Sequence, residues 1–167
     1  WESLRPIVPV FVSYVLSFIY VGIYWNNHHH LMQAVRFIDG RVLWANLHLL
    51  FWLSLFPVVT HWVGDTSFAS VPVAAYGVVL VCAAAAYALL VRILLAANGP
   101  DSLLAKAIGS DVKGWASIAI YLLGIATSFW SPRTAYIGYW IVALIWLIPD
   151  RRIERALMHK EQTESVA

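Results

Sequence analysis

Five long apolar segments, separated by charges and by Pro or Gly, dominate the chain. They cover residues 7–25, 43–63, 71–96, 114–130 and 135–149. A helix needs about 20 apolar residues to cross the roughly 30 Å hydrocarbon core of a bilayer. The shortest segment, 135–149, lies between charged residues that can reach the polar interface from a short span. The pattern therefore predicts an all-α, polytopic transmembrane helical bundle with five spans, which forms one domain over residues 1–151.

The connections between the segments carry residues that end or bend helices. Pro57 lies inside the second segment and predicts a kink, because proline has no amide hydrogen to donate. Residues 98–102 form a clear break, and a short interfacial helix is expected over 103–108. Ser131 and Pro132 predict a tight turn, so the last two spans should form an antiparallel hairpin. Residues 152–167 are polar and predict a frayed cytoplasmic tail.

Composition agrees with a membrane protein and narrows its function. Hydrophobic residues make up 61% of the 167 positions and charged residues 12%, and mean hydropathy is +0.72. A soluble fold of this size could not bury so much apolar surface. The length leaves no room for a separate catalytic domain, and Cys82 is the single cysteine, so the chain cannot form an internal disulfide. The net charge of +2 gives no indication of nucleic acid, and we expect no nucleic-acid partner.

Basic residues are distributed unevenly between the two sides of the predicted membrane. Arg5 and Arg133 fall on one side, and nine fall on the other: Arg36, Arg41, Arg92, Lys106, Lys113, Arg151, Arg152, Arg155 and Lys160. Cytoplasmic connections are enriched in Lys and Arg, so the C-terminus should be cytoplasmic. Five crossings then place Trp1 outside. We therefore expect one further helix upstream and six spans in the complete subunit.

Hydroxyl groups follow one face of the first span. They belong to Ser13, Ser17, Tyr20 and Tyr24, whose spacings of four, three and four place them in a single stripe. Lipid cannot satisfy these groups, so the stripe should face protein or water. Helix packing and the lining of a pore or cavity are both open interpretations.

A dense polar cluster follows this stripe at the predicted cytoplasmic end of the first span. We call it the His/Asn cluster, and it comprises Trp25, Asn27, His28, His29 and His30 together with Asn46 and His48 at the start of the second span. Two consecutive helices joined by a short loop should bring these groups together. Imidazoles and carboxamides at the edge of a membrane are normally held by polar partners.

Three functions could need the His/Asn cluster. Histidines can hold zinc or iron, but such sites also use separated histidine motifs and carboxylates, which are scarce here. A proton relay would suit histidine, yet the spans carry no carboxylate at mid-depth. The favoured interpretation is a hydrogen-bond hub that fixes helix ends and bonds another helix. We expect no metal and no other cofactor.

Known catalytic and selectivity motifs are absent from the sequence. It contains no Thr-Val-Gly-Tyr-Gly filter loop, no phosphate-binding Walker loop, no nucleophile elbow and no Arg-rich voltage-sensor helix. We therefore expect that the protein is not an enzyme.

Two stretches resemble the bacterial transmembrane protein 175 family of potassium channels. The first is residues 17–31, with the run Tyr24-Trp25-Asn26-Asn27-His28-His29 at its centre, and the second is Trp44-Ala45-Asn46 followed by Phe56-Pro57. These stretches look like the second and third helices of that family. The resemblance is specific over residues 17–57, and beyond residue 71 it rests mainly on helix order.

The resemblance implies a six-helix subunit that forms a homotetramer around a central pore. It implies potassium as the permeant ion and leak-like conduction through apolar constrictions on the first helix, without a carbonyl filter. That helix also carries the family's Arg-x-x-x-Phe-Ser-Asp signature. Neither the apolar constriction nor the signature is in this sequence. Positions Trp25, Asn27, His28, His29 and Asn46 resemble those that would hydrogen-bond the Ser and Asp of the signature.

The implied partners are the lipid bilayer, identical subunits and the missing first helix of the same polypeptide. The implied location is the inner (plasma) membrane of a bacterium. A proton-coupled or other secondary transporter is the alternative function, and a membrane-bound, His-ligated metal enzyme is a second alternative.

Overall fold

The computed structural model describes residues 7–107 and 112–147. In this part of the chain the helices are α1 (Ile7–Gln33), α2 (Gly40–Ser54), α3 (Phe56–Asp65), α4 (Ser70–Asn98), α5 (Leu103–Ala107), α6 (Val112–Thr127) and α7 (Pro132–Leu147). Every regular element there is helical, so the predicted all-α class is confirmed. Predictions that fall on residues 1–6, 108–111 and 148–167, including the polar tail, lie outside the described residues.

Among the residues that the structure describes, two helical stretches are long and apolar enough to cross a membrane. They are Gly40–Asp65 and Ser70–Asn98, and Lys113–Thr127 is a shorter apolar helix. The 27-residue α1 begins with the first apolar segment and continues through the histidines to Gln33. The helices follow the order of the apolar segments, as expected of a helical membrane bundle.

The second predicted span is divided into α2 and α3 at Leu55. Pro57 lies in the first turn of α3, where its missing amide donor costs little. The helix therefore breaks just before the proline, where the sequence predicts a kink.

The central helix of the bundle is α4, which packs against α2, α3, α6 and α7. Its close contact with α6 and α7 depends on two glycines that flank the ring of Tyr139. A Cβ added at Gly124 would lie 2.5 Å from Cε1 of that ring, and one added at Gly77 would collide with its hydroxyl oxygen. Small residues let membrane helices approach closely, and here the tyrosine ring fills the space that they leave.

Two buried clusters form the interior of the bundle. One is rich in aromatic residues and includes Leu16, Tyr20, Phe56, Tyr76, Tyr121, Tyr136 and Tyr139. The other is aliphatic and includes Leu31, Val42, Leu49, Leu90, Leu94 and Leu104. The aromatic cluster joins α1, α3, α4, α6 and α7, and the aliphatic cluster joins α1, α2, α4 and α5.

The side chain of Asn98, at the end of α4, holds the connection between α1 and α2. Its Oδ1 accepts hydrogen bonds from the backbone amides of Arg36 (3.0 Å) and Phe37 (2.9 Å). Its Nδ2 donates to the carbonyl oxygens of Phe37 (3.1 Å) and Leu94 (3.0 Å). The connection is therefore fixed to the same end of the bundle as the loop that follows α4.

The last two helices form the predicted antiparallel hairpin. Near the start of α6, Ser117 accepts a hydrogen bond of 2.8 Å from Nε1 of Trp146, near the end of α7. Further along α6, Gly124 packs against Tyr139 in the middle of α7. Arg133 begins the hairpin's second helix and lies at the end of the bundle opposite Arg36.

Candidate functional site

The ends of α1 and α2 meet through the His/Asn cluster. Nε2 of His28 lies 2.8 Å from Oδ1 of Asn46, and both side chains are half-buried. Because Oδ1 is an acceptor only, this arrangement requires the hydrogen of His28 on Nε2. The bond ties two helices that the sequence analysis expected to meet here.

Two other members of the cluster bond within their own helices. Nδ2 of Asn27 donates to the carbonyl oxygen of Ile23 at 2.9 Å. Nε2 of His48 accepts from Nε1 of Trp52 at 2.9 Å, one helical turn away. The sequence analysis missed Trp52, although its separation of four residues from His48 is the spacing of neighbours on one helix face. The cluster is therefore not one closed network.

The remaining members leave imidazole surface open. The rings of Trp25 and His29 stack with centroids 5.4 Å apart and an angle of 13° between planes, and both side chains are exposed. Nδ1 of His30 is buried and has no hydrogen-bond partner among the described residues. The exposed ring of His29 can still bond to a further segment, whereas Nδ1 of His30 is enclosed by the described residues.

Large apolar side chains continue from Trp25 along the exposed face of α1. This aromatic seam consists of Phe11, Tyr14, Phe18, Val21 and Trp25, all exposed. Its alternating spacings of three and four are typical of a helix that packs along another helix. The seam therefore fits a helical neighbour.

The stripe of hydroxyl groups lies on the other side of α1, inside the bundle. Oγ of Ser13 accepts a 3.0 Å hydrogen bond from the hydroxyl of Tyr136. The hydroxyl of Tyr20 donates to the carbonyl oxygen of Tyr139 at 2.6 Å and accepts from the hydroxyl of Tyr121 at 3.3 Å. These bonds tie α1 to α6 and α7.

The other two stripe residues also face protein. Ser17 is buried, and Tyr24 packs its ring against those of Phe56 and Tyr87, each with centroids 6.1 Å apart. The structure thus places all four stripe residues toward neighbouring helices. The sequence analysis did not identify their tyrosine partners on α6 and α7.

Metal ligands are not brought together in the described residues. No group of three or more His, Cys, Asp or Glu side chains there could hold a metal ion. The consecutive histidines point in different directions from α1. A His-ligated metal centre has no support in this part of the chain.

Comparisons with known proteins point to potassium channels. A family model described as endosomal/lysosomal potassium channel TMEM175 matches residues 1–57. A protein of Chryseobacterium sp. (strain P1-3), named as a potassium channel, is 56% identical over 157 residues, which cover 94% of this chain and 82% of that protein. A protein of Streptomyces collinus (strain DSM 40733 / Tue 365), also named as a potassium channel, is 29% identical over 91 residues, which cover 52% of this chain and 44% of that protein. No solved structure matches the chain.

Proposed function

The chain belongs to the bacterial TMEM175 family of potassium channels, and we propose that it is the subunit of a potassium-selective leak channel. The Chryseobacterium relative, at 56% identity over 94% of the chain, supports potassium as the permeant ion. Conduction needs no covalent chemistry, so we propose no catalytic role for any residue. The lipid bilayer is the environment, and the inner membrane of a bacterium is the proposed location.

The observation that carries the mechanism is the exposed imidazole of His29 beside Trp25 at the end of the aromatic seam. An imidazole on a lipid-facing surface costs free energy unless it has a polar partner. We propose that another helix of the full polypeptide, ahead of Trp1, covers the seam and supplies that partner. Its Ser and Asp side chains would bond the exposed imidazole of His29.

The pore in this proposal is lined by apolar side chains of that additional helix in a homotetramer. An apolar constriction passes ions when it is wide enough to stay hydrated, and it closes by losing water when it narrows. The bond between His28 and Asn46 fixes the ends of α1 and α2 relative to each other. The His/Asn cluster would thereby set the tilt of the pore helix and the diameter of the constriction.

Electrophysiology of the full polypeptide in planar bilayers tests this function. A leak channel should give ohmic currents in symmetric potassium, with no coupling to a proton gradient. A secondary transporter would instead saturate with potassium concentration or move protons with it. Either of those results would contradict the proposal.

Substitution of His29 tests the role of the cluster. We expect His29→Ala to lower potassium conductance or the yield of tetramers severalfold, because the pore helix loses a polar partner. His61→Ala is the matched control, since His61 is also exposed but lies on α3, away from the cluster. Currents and light scattering measure conductance and assembly. Unchanged currents and tetramers in His29→Ala would contradict the proposed role.

A further inference from the structure

We propose that the connection between α1 and α2 binds the head group of an anionic phospholipid. The site combines Arg36 and Arg41 with the apolar pair Phe37 and Ile38, which lies between the two arginines. The proposal rests on the membrane assignment and does not depend on potassium conduction.

The apolar pair is placed to enter the acyl region of a bilayer. Phe37 is 68% exposed and Ile38 is 53% exposed, although both belong to a short connection between helices of a membrane bundle. Trp44, which is 75% exposed, lies one turn into α2. Tryptophan is enriched at the level of lipid head groups, so these side chains locate the connection at the membrane interface.

The backbone of the connection is held in place without help from lipid. Asn98 makes three hydrogen bonds to the connection, with the amides of Arg36 and Phe37 and the carbonyl oxygen of Phe37. Oδ1 of Asp39 accepts from the amide of Val42 at 2.9 Å and caps α2. A site ordered before binding loses less conformational entropy when it binds its ligand.

The two arginines supply charge that the described residues do not neutralise. Arg36 and Arg41 are exposed, and neither forms an ion pair within the described part of the chain. The carboxylate of Asp39 is engaged as a helix cap, and Asp101, exposed in the neighbouring loop, forms no ion pair with either arginine. Guanidinium groups bind phosphate with two parallel hydrogen bonds, and phosphate is the anion at this depth.

A net negative head group should bind better than a zwitterionic one. Attraction of a basic side chain to an anionic membrane surface corresponds to roughly a fivefold gain in affinity for each Lys or Arg. Phosphatidylglycerol should therefore be preferred over phosphatidylcholine at this site by roughly 25-fold for the two arginines together.

Native mass spectrometry of the full polypeptide, titrated with each lipid, tests the site. We expect the double variant Arg36→Gln with Arg41→Gln to bind phosphatidylglycerol roughly 25-fold more weakly, with phosphatidylcholine binding unchanged. The charge-preserving variant Arg36→Lys with Arg41→Lys should retain most of the preference. Arg133→Gln, at the opposite end of the bundle, should leave it unchanged.

Hydrogen exchange then locates the effect. Phosphatidylglycerol in nanodiscs should slow amide exchange in residues 34–41 of the parent protein, and the Gln double variant should lose this protection. Equal lipid binding by the parent and the Gln variant would overturn the proposal. So would protection that is independent of lipid and rises with protein concentration, because that result would identify a second copy as the occupant.

Discussion

Two buried tyrosines of the aromatic cluster differ in what their hydroxyl groups contact. The hydroxyl of Tyr20 bonds both Tyr139 and Tyr121, whereas the buried hydroxyl of Tyr76 faces only the hydroxyl of Thr60 among the described residues, without a well-formed hydrogen bond. Both rings are otherwise packed in the same cluster. The pair therefore separates the contribution of a hydroxyl bond from that of the ring.

We expect Tyr20→Phe to lower the free energy of unfolding by about 1–3 kcal/mol, since it removes two interhelical hydrogen bonds and leaves the buried hydroxyl of Tyr121 without its acceptor. Tyr76→Phe should change it less, because in the described part of the chain the lost hydroxyl faces only Thr60 and makes no well-formed hydrogen bond. Denaturation of the purified protein in detergent measures both. Equal losses in the two variants would contradict this account of the hydroxyl groups.

Two glycines determine how closely neighbouring helices pack around Tyr139. We expect Gly77→Ala and Gly124→Ala each to destabilise the bundle by about 1–3 kcal/mol, because the added methyl group overfills the contact with Tyr139. Gly138→Ala is the control, since its Cβ would lie 3.5 Å from Ile120, an ordinary contact. Alanine also favours a helix over glycine, so the control should be neutral or slightly stabilising. Melting temperatures in detergent compare the stability of the three variants with that of the parent protein. Gly77→Ala and Gly124→Ala variants as stable as the parent would refute the overpacking.

Helices were the most predictable part of this chain. Runs of apolar residues located them, and Pro57 marked the break between α2 and α3. The connection after α1 also predicted that the His/Asn groups of α1 and α2 would meet, and the pair that does so is His28 and Asn46. These features depend on residues close in sequence, where periodicity and helix-breaking residues carry the information.

Contacts between distant helices could not be predicted from local pattern. The bonds of Tyr20 to Tyr121 and Tyr139 depend on how α1 packs against α6 and α7, and sequence periodicity does not specify that register. Asn98 resembled an ordinary loop residue, and its three hydrogen bonds to Arg36 and Phe37 form only because α4 ends beside the α1–α2 connection. The reversal after α3 uses left-handed backbone at Ser67 (φ 50°) and Phe68 (φ 65°), without the glycine that would have indicated it.

At the scale of the whole molecule, charge is separated between the two ends of the bundle. Arg36, Arg41 and the loop containing Asp101 lie at one end, which the positive-inside bias places in the cytoplasm, and Arg133 lies at the other. The orientation remains a prediction. Both Asp101 and Arg133 are exposed, so a cysteine at either position would be accessible to a labelling reagent on its own side of the membrane.

Cysteine labelling tests this orientation. In a Cys82→Ala background, a membrane-impermeant maleimide should label Arg133→Cys in intact cells. Asp101→Cys should react only after the membrane is permeabilised. Labelling of the Asp101 variant in intact cells would reverse the assigned topology.

The contact of Tyr139 with two glycines makes substitutions at the three positions depend on one another. The methyl group of Gly77→Ala would meet the hydroxyl oxygen of Tyr139, whereas that of Gly124→Ala would meet the ring itself. Tyr139→Phe should therefore relieve part of the first defect, since the same methyl group would still lie 2.6 Å from Cγ1 of Ile125, and it should leave the second unrelieved. A family member that carries a larger residue at position 77 should thus have lost the hydroxyl at position 139 and carry a smaller side chain at position 125, which makes these positions a site of epistasis.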